Sequence, residues 1–143
     1  MKRQLTYLIM VAALTATTLT ITARNKQVPR IYMFGMAASF TDSLVYFTGV
    51  QIVDSAWVGV KDKFLKGREL YSLQLRNYLN DQEHLSHRTC VVYYDENRSK
   101  LEKKYLKIRE LYTTKARQSF EIHDLTEQQF RFTCVNMSDG EEQ

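Results

Sequence analysis

The chain has 143 residues, with 20 Lys or Arg against 16 Asp or Glu and a formal net charge of +4. Nine Tyr, seven Phe and one Trp against five Gly and one Pro describe a packed domain. That composition excludes a disordered or low-complexity chain, and the length suits one ordinary domain.

Lys2 and Arg3 open the sequence, an apolar block runs from Leu5 to Leu14, and a Thr- and Ala-rich stretch follows to Ala23. A basic start, a short apolar core and a small residue at the cut make residues 1–23 a predicted secretory signal peptide. An uncleaved membrane anchor is the competing reading. Six Thr and an apolar core of only about ten residues favour cleavage over a spanning helix. The expected location is therefore periplasmic or secreted, with membrane attachment only if the segment stays on. Cleavage removes Lys2 and Arg3 and no acid, leaving 18 basic and 16 acidic residues, a net of +2. So small an excess argues against nucleic acid as a partner, since that needs a concentrated basic patch.

Arg24–Arg30 reads as a short tether. Ile31–Met36 is a compact apolar run and a predicted buried strand. Ala37–Asp42 reads as a turn or short helix. Leu44–Thr48 is β-branched and aromatic, as strands are, and Val50–Val53 continues it weakly after Gly49. Lys61–Gln82 is the first predicted helix, with Phe64, Gly67, Tyr71, Leu75 and Tyr78 at helical spacing. Glu83–Arg88 is a polar connector. Thr89–Tyr94 is apolar on both faces, which predicts a central strand in a covered sheet. Arg98–Lys115 is the second helix, its stripe made by Leu101, Tyr105, Ile108, Leu111 and Tyr112. Ser119–His123 and Gln129–Val135 alternate polar and apolar, as half-buried strands do. Asn136–Gln143 is an acidic tail expected to be disordered.

The expected fold is α+β. A small, mainly antiparallel or mixed sheet of four or five strands carries two amphipathic helices on one face, with the globular part at residues 31–135.

Cys90 and Cys134 are the only cysteines. In an oxidising compartment two such thiols in one domain are expected to pair. His84, His87 and Cys90 are spaced three apart, with His123 downstream, but two solvated histidines in a polar connector are commoner than a metal site. No metal site and no cofactor is assigned. Ser39, Ser43 and Ser55 lack the Gly-x-Ser-x-Gly elbow of a hydrolase, and Asp42 and Asp54 read more simply as capping or surface acids than as a catalytic pair. No catalytic residue is assigned. Lys100, Lys103, Lys104 and Lys107 line one side of the second helix and are the candidate binding surface for an anionic partner. A solvated helix face is the simpler account of them.

Ile31–Phe40, and Thr89–Tyr94 with Arg98–Leu111, resemble the two strand-then-helix halves of a sporulation-related repeat (SPOR) domain, over about a third of the chain. The long gap before the first helix departs from that family's spacing. The resemblance implies a glycan-binding sheet face, which suits an exported protein. The functional expectation is a non-catalytic binding or envelope-associated module, its partner an envelope polymer or another envelope protein. A cell-wall glycan binder and a small hydrolase or metal-dependent enzyme are the alternatives.

Overall fold

The computed structural model describes residues 24–138; the expected signal peptide and residues 139–143 lie outside that range. Five strands, β1 (Asn25–Ala38), β2 (Leu44–Thr48), β3 (Gln51–Gly59), β4 (Thr89–Asp95) and β5 (Glu121–Leu125), form one mixed sheet. Two helices, α1 (Arg68–Gln82) and α2 (Arg98–Glu110), complete the α+β fold.

β1 organises everything else. It pairs antiparallel with β4 on one edge, while β2 and then β3 follow each other antiparallel along the other. β5 adds in parallel outside β2. β2 and β3 are thus one long partner strand with a single irregularity. Met33 lies opposite Gln51 and Met36 opposite Phe47, so three steps on β1 face four on its partner. The extra residue is a β-bulge at Gly49. Thr48 repairs the ladder there, its hydroxyl accepting from the Gly35 N–H at 2.8 Å.

A second irregularity lies opposite Pro29. Buried positions along β1 jump from Val28 to Ile31, and along β3 from Val53 to Ala56. Each jump is three residues where a regular strand would give two. Ser55 takes a left-handed conformation (φ 61°) and Pro29 has no N–H to donate, so the ladder relaxes at that point. The double jump brings Val28, Ala56 and Val58 into the same core as Ile31 and Val53. Of Arg24–Arg30, expected as a tether, Asn25–Arg30 is therefore the first part of β1. Its side-chain pattern breaks at the double jump, which hides the strand from a simple period-two reading.

α1 buries Tyr71, Leu75 and Leu79 against Ile31, Met33, Ala37 and Val92. α2 sets Tyr105 and Ile108 against Met36, Val45 and Phe47. From Ile31 onward, odd-numbered β1 residues meet α1 and even-numbered ones meet α2, so the helices cover opposite faces, not one. The reason is that the middle of β1 is apolar on both sides; Phe34 and Met33 are both fully buried. A strand buried on both faces needs a layer over each.

α1 begins at Arg68, not Lys61, because Gly67 is left-handed (φ 68°) and the preceding residues form turns. α2 begins as expected behind Asn97, whose side chain accepts from the Lys100 N–H. Gln129–Val135, expected as a strand, is instead an irregular strap across the α1 face. Phe130 and Phe132 plug the core, and glutamine side chains supply the hydrogen bonds a neighbouring strand would have made. Gln51 donates to the Phe130 carbonyl and accepts from the Phe132 N–H, both at 2.9 Å. Gln74 does the same to Thr133, both at 2.9 Å. The Tyr71 hydroxyl accepts from the Val135 N–H, and Asn25 donates to the Met137 carbonyl.

Candidate functional site

β4 lies at the edge of the sheet: among the described residues it pairs with β1 alone. It was expected in the centre. Being covered on both faces by α1 and α2 makes an edge strand as apolar as a central one, so its sequence does not distinguish the two.

At the end of that edge is a groove of about 310 Å³ lined by Asp62, Lys63, Phe64, Arg68, Tyr93, Tyr94 and Lys104. Alternation along β4 sends Tyr93 and Tyr94 to opposite faces, and the groove wraps the edge between them. Tyr93 stacks on Phe34 with ring centroids 4.9 Å apart and carries the Lys104 ammonium 5.1 Å above its ring. Tyr94 is anchored through its hydroxyl, which accepts from the Leu65 N–H at 3.0 Å, and the Arg68 guanidinium sits 5.9 Å from its ring. Arg68 also donates to the Val92 carbonyl at 3.0 Å. Phe64 projects from the turn before α1 with 64% of its surface exposed.

That turn is built by Asp62. Its carboxylate accepts from the Phe64 N–H and pairs with Lys66 at 3.2 Å. The backbone hydrogen bond from Phe64 first, then Lys66, hold it below the usual carboxylate range. Lys63 and Tyr94 are shared with a neighbouring cavity of about 300 Å³ that also touches Lys26, Asp95 and Glu96. Among the described residues Lys63, Arg68 and Lys104 ion-pair with no carboxylate. The groove therefore offers aromatic surface with uncompensated positive charge around it, which suits an anionic ligand.

Of the predicted lysines only Lys104 reaches the groove. Lys100, Lys103 and Lys107 are exposed elsewhere on α2. Phe64, Arg68, Tyr93 and Tyr94 escaped the sequence reading, because their meeting depends on β4 being an edge. The exposed Phe beside lysines in Asp62-Lys63-Phe64 was the one local sign.

The other concentrations of charge hold the fold together. Arg109 grips Asp124 with two bonds, 2.5 and 2.8 Å, and locks α2 onto β5. That guanidinium keeps the Asp124 carboxyl below its usual range. Arg88, whose side chain is almost fully buried, donates to Asp42 at 2.6 Å and to the Leu44 carbonyl at 2.7 Å. His123 stacks on Tyr46 and pairs with Glu121 at 2.7 Å, while His84 and His87 take left-handed backbone in the connector. Among the described residues no group of three or more His, Cys, Asp or Glu is placed to hold a metal ion, and no helix is long and apolar enough to cross a membrane.

Cys90 and Cys134 do not form the expected disulfide; both thiols are free. Cys90 lies opposite Ala37, whereas the Cys134 thiol contacts the Ser55 carbonyl, opposite Pro29. Eight residues of β1 separate those levels, on the order of 25 Å, far beyond the reach of a disulfide. Burial pushes the Cys90 thiol up to about 11, while Cys134 is exposed. Iodoacetamide at pH 8 is expected to alkylate Cys134 first and Cys90 at least about a hundredfold more slowly, because only the thiolate reacts. Equal rates by mass spectrometry would contradict the burial of Cys90.

Comparison of the chain with protein-family models, with curated proteins and with solved structures finds no match.

Proposed function

We propose that this protein is an exported, non-catalytic binding module that holds an anionic ligand in the groove at the β4 edge. The observation that carries the proposal is the setting of Lys63, Arg68 and Lys104 around Tyr93, Tyr94 and Phe64, with no carboxylate ion-paired to any of the three cations among the described residues. A site for catalysis would be expected to gather an acid, a base or a nucleophile with a shifted pKa. In this groove Asp62 is shifted, but downward and by its own turn. Aromatic surface with guanidinium and ammonium groups serves recognition. The predicted signal peptide supports an envelope polymer or envelope protein as the source of the ligand.

Fluorescein-labelled poly-L-glutamate tests the reading. Its anisotropy is expected to rise on addition of the protein, and the effect is expected to weaken as salt is raised. Replacing Lys63, Arg68 and Lys104 together by Gln is expected to abolish binding. Equal binding by that variant, or none by the native chain, would count against the groove.

The glycan reading keeps one specific support. Beside the start of α2 the sheet face that it covers carries the exposed Arg30 and Ile52 and a half-buried Tyr32, with the Arg98 guanidinium 5.8 Å from its ring. Co-sedimentation with purified cell-wall sacculi that is lost in Tyr32→Ala would favour it. Sedimentation of native and variant chains alike would remove it.

A further inference from the structure

The β4 edge adds a second observation to the groove, and the inference drawn from it rests on the anionic-ligand reading above. The Gly35 N–H points away from β4, to the Thr48 hydroxyl. Gly35 is paired with Val92, so this is a non-hydrogen-bonded pair, and Val92 turns its own N–H and C=O outward. Cys90 and Tyr94, two residues to either side, do the same. Three residues of backbone thus present donors and acceptors along a line of about 13 Å. Only one of these groups is occupied among the described residues: the Val92 carbonyl, which accepts from Arg68.

An open, apolar edge strand invites pairing, and proteins usually block it with charge or cover it. Here the charges beside the stretch Cys90–Tyr94 are cationic, and the acids Asp62, Asp95 and Glu96 lie at its end. Arg68 and Arg76 lie two turns apart on α1; Arg68 bonds the edge at Val92 and Arg76 is near enough to act on the Cys90 thiol. Lys104 stands over Tyr93 on the other face. None of these three cations ion-pairs with a carboxylate among the described residues. A second copy meeting β4 edge to edge would bring these cations against their own counterparts, which is unfavourable. A strand bearing carboxylates would be attracted.

We propose that β4 receives an extended acidic peptide segment as an additional strand. Its backbone pairs with Cys90, Val92 and Tyr94, and one set of its alternate side chains places carboxylates near Arg68 and Arg76 on the α1 face. In the free protein Arg68 holds the position of an incoming amide at the Val92 carbonyl. On binding, the peptide N–H replaces it and the guanidinium turns to a ligand carboxylate. Main-chain pairing supplies affinity and the charged side chains supply selection.

The test uses a labelled peptide of four Glu-Val repeats, the same peptide with every second amide N-methylated, and a Lys-Val peptide. The full chain is expected to bind the first at least about tenfold more tightly than the methylated form, the loss of a few hydrogen bonds. It is expected to leave the Lys-Val peptide unbound. Hydrogen exchange at the Cys90, Val92 and Tyr94 amides is expected to slow on binding. Arg68→Gln, with its fold checked by circular dichroism, is expected to weaken the first peptide about tenfold, the effect of one charge-assisted bond. Equal binding of the methylated peptide with no amide protection would overturn strand addition while leaving the anionic groove standing. No binding of either acidic peptide or of poly-L-glutamate would overturn both. Concentration-dependent dimerisation that protects the same three amides without peptide would replace the peptide by a second copy.

Discussion

Replacing Gln51 by Leu is expected to cost the fold about 3 kcal/mol, because two buried backbone groups lose their partner at once. Gln51 is 1% exposed, and its carboxamide completes both the Phe130 carbonyl and the Phe132 N–H. Leucine has nearly the same size, so the space stays filled and the loss is one of hydrogen bonding. Each unsatisfied group costs on the order of 1–3 kcal/mol, and water reaches neither easily. Urea unfolding followed by circular dichroism should show a lower midpoint with an unchanged slope. Gln51→Glu separates the contributions: its carboxylate still accepts from Phe132 but cannot donate to Phe130. At neutral pH it should be at least as damaging as Leu, and in acid it should recover part of the loss. A change under about 1 kcal/mol for Gln51→Leu would mean that the Gln51 hydrogen bonds add little to what Phe130, Phe132 and the Gln74 and Tyr71 bonds already supply.

The second large effect concerns Gly35 and Leu75, which meet where α1 crosses β1. A methyl group on Gly35 would lie 2.7 Å from Leu75 Cδ2 and 3.0 Å from the Phe132 ring. Leu75 is fully buried. Leu75→Ala alone is expected to cost about 3–5 kcal/mol through the cavity it leaves. Gly35→Ala alone is expected to cost about 1–3 kcal/mol through overpacking. The double variant should cost less than the sum by about 1–2 kcal/mol, since the new methyl group occupies part of the space that Leu75 vacates. Strict additivity in urea unfolding would show that Phe132, not Leu75, limits the room at Gly35.

Much of the fold was legible because it is written in local periodicity. The apolar run Ile31–Met36, the strand Thr89–Tyr94 and the stripes of both helices rest on side-chain spacing, and each appears near its expected place. The strap was not legible. Gln129–Val135 alternates as a strand does, but Gln51 and Gln74 bind it with side chains where a strand would need a neighbouring backbone. Nor was the separation of the cysteines, which depends on the strand levels their neighbours occupy.

The sequence by itself determined the α+β class, the apolar strand segments and the start of α2 at Arg98, all of them properties of residues near one another along the chain. Only the tertiary structure decided which strand is the edge, on which face each helix lies, that Cys90 and Cys134 stay apart, and that Tyr93, Tyr94, Arg68 and Lys104 share a groove. Those outcomes depend on pairing between distant segments. The apolar pattern of a strand reports that both its faces are covered, and it carries no record of whether its outer hydrogen bonds find a partner.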